Sequence, residues 1–210
     1  QSTAQLEFWE TYKNDQFLSF LIEANTLLGS NLEKELDGNT EKDISSEIDD
    51  LLADVATKDS IAITSNPILD RVVGQGFQGG PVLAQFAARD SDLIMSYLDQ
   101  PEIRKLLPSL YRYTRFVWGK PTADGNVVEL YALKSNRDNL APLSGGVVVD
   151  ALQTFDQLGN PAVSMQMDSR GARIWENMTG KAYKDVSNIA IVLDNICLLY
   201  TSDAADEEAS

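Results

Sequence analysis

From Val147 onward the chain alternates at period two. Val147, Val149 and Ala151 interleave with Val148, Asp150 and Leu152, and Gln153-Thr154-Phe155 follows. That β-branched pattern predicts a strand. Leu158-Gly159-Asn160-Pro161 supplies turn residues, since Gly and Asn accept positive φ and Pro fixes the exit. Ala162–Met167 alternates again, so the two runs predict an antiparallel hairpin. Asp168 or Ser169 is placed to cap a helix in which Ala172, Trp175 and Met178 share one face, with Gly180 as its expected stop. Ile189–Leu193 is a continuous apolar run, the mark of a strand buried on both faces. A helix between two strands predicts a right-handed crossover that lays Ile189–Leu193 parallel to Ala162–Met167.

The preceding half reads in the same terms. Ala4–Thr11 predicts a strand. Phe17, Leu18, Leu21, Ile22, Leu27 and Leu28 recur at helical spacing, with Asn14 or Asp15 as the cap and Gly29 as the expected stop. Val82–Ala87 predicts a strand. A helix follows from Asp90-Ser91-Asp92 with Leu93, Ile94, Tyr97 and Leu98 on one face. Pro101 and Glu102 suit the first turn of a short helix carrying Ile103, Leu106 and Leu107. Tyr113–Trp118 and Asn126–Leu133 predict strands joined by a turn at Thr122–Gly125. Strands and helices mixed in this order predict an α+β fold.

Composition narrows the chemistry. In 210 residues, 43% hydrophobic and 23% charged is ordinary globular usage. The net charge of −15 argues against nucleic acid or an anionic membrane surface as partner, because both demand basic patches. No apolar run reaches the length of a membrane span. Histidine is absent, which excludes a Ser-His-Asp triad, a Cys-His pair and His-ligated zinc. The single cysteine, Cys197, has no basic neighbour to activate it and no partner for an intrachain disulfide.

The remaining motifs are weak. Gly74-Gln75-Gly76-Phe77-Gln78-Gly79 matches a dinucleotide fingerprint as a string, but Gly80-Pro81 stands where the required helix should already run, so the string predicts a loop. Asp49, Asp50 and Asp54 fall in an acidic stretch without the ligand alternation or central Gly of a calcium loop; that stretch predicts a solvated linker. Asp150, Asp156, Asp168 and Asp194 are the carboxylates that a glycosidase-type reading would use. All sit at strand ends, where turns and caps are the usual role. Trp9, Trp118 and Trp175 are either binding anchors or core residues, and the helical spacing of Trp175 favours the core.

Several segments together carry a family resemblance. They are Ala4–Tyr12, Leu130-Tyr131-Ala132-Leu133-Lys134, Asp150-Ala151, Phe155-Asp156, Pro161-Ala162-Val163-Ser164, Ser169-Arg170-Gly171-Ala172, Met178-Thr179 and Ile189–Asp194. Their order resembles the first extracytoplasmic domain of the SecD/SecDF protein-export family, in the form of fused SecDF chains of the Bacteroidota. The resemblance implies ferredoxin-like β-α-β units with mixed sheets, in two subdomains called base and head. Residues 1–30 and 81–134 would form the base, 31–80 an acidic and Gly-rich linker or insertion, and 135–196 a truncated head. It further implies a fragment on the periplasmic side of the bacterial inner membrane, within a parent that assists proton-motive-force-driven translocation. Its partners would be unfolded preprotein and, through the parent, the Sec translocon channel. It implies no enzyme activity, no cofactor and no metal, and it identifies no preprotein-contacting residue. The alternative is a stand-alone extracytoplasmic protein-binding domain. Cys197–Glu207 departs from the family and resembles a translated transposase adapter from sequencing libraries, which implies a non-native tail over 197–210 that supplies no strand.

Nucleotides and divalent ions are therefore expected to give no specific stabilisation in a thermal-shift assay. A rise of several degrees with NAD or ATP would overturn that expectation.

Overall fold

The computed structural model describes residues 4–39, 66–155 and 161–201. Asp49, Asp50 and Asp54, most of the acidic linker that holds them, Asp156 and the turn expected at 158–160 lie outside the described residues. The elements in chain order are β1 (Leu6–Glu10), α1 (Leu18–Asn39), β2 (Val72–Gly74), β3 (Val82–Ala87), α2 (Ser91–Leu98), α3 (Pro101–Arg104), β4 (Arg115–Gly119) and β5 (Val127–Leu133). There follow β6 (Leu143–Ser144), β7 (Val148–Phe155), β8 (Pro161–Met167), α4 (Ser169–Asp185), β9 (Ile189–Leu193) and β10 (Ile196–Thr201). The mixture of helices with antiparallel and parallel pairing is the α+β fold the sequence implies.

One sheet runs β2-β3-β5-β4-β10-β9-β1-β6, and β7 and β8 pair by themselves. The large sheet curls until β1 meets β5. Thr11 bridges Leu133, Tyr12 N donates to Ala132 O at 2.8 Å, and Lys134 N donates to Glu10 O at 2.8 Å. Strands β5, β4, β10, β9 and β1 thereby close a small five-stranded barrel. Its interior holds Trp9, Val117, Tyr131, Leu133, Ala190, Val192 and Cys197, all buried. Gly119 is required there, because a Cβ would stand 2.8 Å from the Tyr131 ring. At one mouth Arg115 pairs with Glu7 (2.8 Å), reaches Asn195, and lies over the Trp9 indole at 5.4 Å. At the other, the Glu129 carboxylate accepts from Gln85 Nε2 (3.0 Å) and the Tyr131 hydroxyl (2.5 Å).

Helices pack outside. Helices α1, α2 and α3 cover β3, β4 and β5 through Phe17, Phe20, Ile94, Leu98, Ile103 and Phe116. Phe20 and Phe116 stack at 5.7 Å. Two asparagines hold the adjoining loops. Asn25 Oδ1 accepts from Ile68 N and Leu69 N, both at 3.1 Å, while its Nδ2 donates to Asn66. Asn14 accepts from Gly79 N (2.9 Å) and donates to Phe77 O (2.8 Å), which pins the Gly-rich string as a loop between β2 and β3. No helix starts within that string.

Several expectations need correction. Helix α1 does not stop at Gly29, which is buried and keeps a helical φ; the helix runs to Asn39. Its inward face is Phe20, Leu21, Ala24 and Leu28, whereas Leu18 and Ile22 are exposed. The buried Asn25 sets that phase by facing the backbone it binds. Gly180 likewise lies mid-helix, and α4 ends at Val186 in the left-handed conformation (φ 49°), a strained position for a β-branched residue. Strand β9 is not parallel to β8 in one sheet. It pairs antiparallel with β1 and β10, because a strand buried on both faces needs hydrogen-bonding partners on both edges, and the barrel provides them.

The largest correction concerns the end of the chain. Ile196–Thr201 forms β10, antiparallel to β9 and parallel to β4 through Ile196↔Trp118 and Cys197↔Gly119. Asp194 (φ 48°) and Asn195 (φ 70°) make the two-residue turn that this hairpin needs, with both central residues left-handed. Cys197 is buried inside the barrel, and its carbonyl accepts from Lys120 N at 2.9 Å. Truncation after Asn195 is therefore expected to destabilise the protein far beyond the ~0.5 kcal/mol typical of surface changes. Urea denaturation of the truncated chain checks this. An unchanged midpoint would mean that β10 contributes nothing to closure.

Candidate functional site

The outer wall of the barrel opposite α1 carries a second layer. Phe8 of β1, Leu143 of β6, and Ile189 and Ile191 of β9 form an apolar floor, onto which α4 lowers Met178 and Ala182. Trp175 meets Phe8 edge-on, with ring centroids 5.5 Å apart. The N-terminus of α4 is fixed by Asp168, which accepts from Gly171 N at 2.6 Å as the sequence predicts for a cap. Gly171 is needed for close approach: a Cβ there would stand 2.6 Å from Val147.

An ion cluster ties α4 to the barrel. Glu10 of β1 is buried on the outer wall and accepts from Lys134 Nζ (2.9 Å) and from Lys181 Nζ of α4 (3.0 Å to each oxygen). Burial pulls the Glu10 carboxyl upward, but hydrogen bonds and charge from Lys134 and Lys181 outweigh it and hold the group below the usual glutamate range.

The β7–β8 hairpin rises from this anchored base. Its lower half, with Val148, Met165 and Met167, packs onto the same apolar layer as Ile174 and Trp175 of α4. Its upper half extends past the helix. There Leu152 (61%), Phe155 (66%) and Val163 (64%) are exposed, as is Val149 lower on β7. Within the two strands Asp150 is the single charged residue, in a chain of net charge −15. An apolar, nearly uncharged projection on so acidic a chain is the kind of surface that marks an interaction site.

The residues weighed for catalysis are dispersed and locally occupied. Asp150 accepts from Ala151 N (3.0 Å), Asp168 caps α4, and Asp194 accepts from Gln5 N (2.8 Å). Cys197 is enclosed in the barrel. Among the described residues no group of three or more Asp, Glu or Cys side chains is arranged to hold a metal. Trp9 is barrel core, Trp118 packs edge-on to Phe86 at 5.7 Å, and Trp175 is half-buried on Phe8, so none stands free as an anchor. Sequence reasoning did not single out the exposed apolar residues of the hairpin. Period-two alternation does not say how far a helix will cover a strand pair. No described helix is long and apolar enough to cross a membrane.

Because Glu10 titrates below its ordinary value of 4.5, its contribution to stability is present above that pH and is lost as the pH falls through the lowered value. Glu10→Gln is expected to cost about 1 kcal/mol at neutral pH, modest because Lys181 is well exposed. That difference should vanish in strong acid, as read from paired urea titrations across pH. A cost independent of pH would show that the charge plays no part.

Residues 129–202, from β5 through β10, match the family model described as SecDF, P1 head subdomain. The protein translocase subunit SecD of Rhodothermus marinus is 40% identical over 139 residues, which cover 64% of this chain and 21% of that relative. The chain thus spans about a fifth of the curated relative it matches. No solved structure matches it. These findings bear out the SecD/SecDF resemblance that the sequence carries. The matched residues run into the segment read as a foreign tail, 197–210, as far as residue 202, the part that lies within and just after β10.

Proposed function

We propose that this chain is a periplasmic part of a SecD/SecDF-type accessory subunit of the Sec translocon, and that its β7–β8 hairpin contacts the emerging preprotein. The observation that carries the reading is the uncovered apolar end of the hairpin, with Phe155 and Val163 on one face and Leu152 on the other, within the residues that match the SecDF P1 head model. The relative's description as a translocase subunit supports a role in protein export. The division into base and head, the bacterial inner membrane as location of the parent, and proton-motive-force coupling in that parent belong to the same proposal.

The physics suits a client without fixed sequence. An unfolded chain exposes apolar side chains and backbone groups whose hydrogen bonds are to water alone. A shallow apolar surface binds the former weakly and reversibly, and few charges on the hairpin avoid selecting clients by sign. The anchored half of the head, from Trp175 to the Glu10 cluster, gives that surface a rigid mount. The function is binding, with no covalent step and no cofactor.

The chain is expected to bind a permanently unfolded, reduced polypeptide, measured by fluorescence anisotropy. Phe155→Ser combined with Val163→Ser should weaken binding by about tenfold. Both side chains are exposed, so the thermal midpoint should hold within a degree or two. Full binding by the double variant would remove the hairpin from the site.

A further inference from the structure

We infer that the outer edge of β8 captures its client by main-chain hydrogen bonding, accepting an extended polypeptide segment as a third strand of the β7–β8 sheet. This rests on the export reading above and specifies its mode of recognition.

The two-stranded sheet leaves each strand with one outward edge, and among the described residues neither edge meets another strand. The edges are not equivalent. On β7 the register shifts between Val148 and Asp150, a bulge that bends the strand, and the Asp150 carboxylate takes the Ala151 N–H at 3.0 Å. A bulge and a charge are the devices by which edges are blunted against pairing. On β8, Ala162–Met167 carries no charge and keeps its register with Gln166, Met165, Ser164, Val163 and Ala162 opposite successive β7 residues. Its backbone has no hydrogen-bonding partner among the described residues other than β7. Only Pro161, at the strand's start, lacks a donor.

Beside that edge the side chains give a further selection. Val163, Met165 and Met167 alternate along one face of β8, where Met165 and Met167 join the apolar layer to which α4 adds Ile174 and Trp175, and Val163 is exposed. Ser164 and Gln166 alternate on the opposite face and are exposed. A strand added to β8 would set every second side chain beside that apolar row and its intervening side chains beside polar, wet ones. The ligand class is thus an extended segment with an apolar residue at alternate positions and otherwise any sequence. Backbone pairing provides affinity that does not depend on side-chain identity, which diverse clients require. A folded partner would present no free backbone edge of this kind, and a compact apolar ligand would leave the β8 donors unmet.

The test uses the intact chain and a short labelled peptide in which Val alternates with Ser. The same peptide is made with single N-methyl groups moved along it, which delete one backbone donor at a time and leave the side chains in place. Binding is expected to fall about tenfold or more at every second position and to be nearly unchanged between, since only one edge of an added strand faces β8. Equal effects at all positions, or none, would overturn the edge inference while leaving hairpin contact with preprotein standing. If neither the peptide nor an unfolded protein binds at all, the export reading fails with it. Sedimentation of the chain alone separates a third case: self-association at the concentrations used, abolished by a charge at Ser164, would assign the edge to a second copy of this chain and overturn the proposal.

Discussion

The closure of the sheet around Trp9 governs the rest of the structure. Strand β1 hydrogen-bonds β9 along its whole length and then turns its last residues onto β5 through Thr11 and Leu133. That double pairing places the indole at the centre of the barrel with no exposure, and Arg115 and Glu7 seal the mouth beside it. A fully buried tryptophan is worth on the order of 3–5 kcal/mol against Ala, a large part of the ~5–15 kcal/mol that holds a typical domain folded. The barrel also removes edges that an open sheet would expose. It needs every one of its five strands, so segments far apart in sequence, from Leu6 to Thr201, depend on one another.

Closure also decides what the outside can do. Alternate residues of the same strands point outward, and two separate layers use them. Phe116, Leu130 and Phe86 receive α1, α2 and α3, while Phe8 and Ile191 receive α4. Because the second floor is small, α4 covers only the lower half of the hairpin. Glu10 compensates with a charged contact, accepting from Lys134 on the barrel and Lys181 on the helix. The uncovered upper half of the hairpin follows from the geometry of its support: a rigid base with an apolar end projecting beyond it.

Polar side chains do comparable structural service where loops must be held. Asn14 and Asn25 each replace backbone partners for segments that have no ladder of their own, Phe77–Gly79 and Ile68–Leu69. Each buried or loop donor so satisfied avoids a penalty of about 1–3 kcal/mol. They also account for two features of composition. The second half of the glycine string is held as a loop by an asparagine side chain that binds Phe77 and Gly79, and the inward face of α1 includes a polar residue because that residue is a cap for another segment.

Most elements were legible in the sequence, since period two over Ala162–Met167, the Asp168 cap, Pro101 at a helix start and the helix start at Asp90–Asp92, which leaves Val82–Ala87 room only for a strand, are all local signals of backbone geometry. The helix stops at Gly29 and Gly180 were misread, because a glycine marks a helix end by taking a left-handed φ and neither does; Gly29 is buried, whereas Gly180 lies exposed in mid-helix. The role of Ile196–Thr201 was also legible in part. Asp194-Asn195 between two apolar runs is a hairpin signal that the sequence reading passed over. What sequence could not supply is which edges meet. Strand pairing depends on residues separated by more than a hundred positions, as Thr11 and Leu133 are, and nothing local encodes that distance. The same limit hid the candidate site. Composition and spacing identified the hairpin, but only the tertiary structure decided that its upper half and the β8 edge stay uncovered, because coverage depends on where α4 comes to rest on the barrel wall.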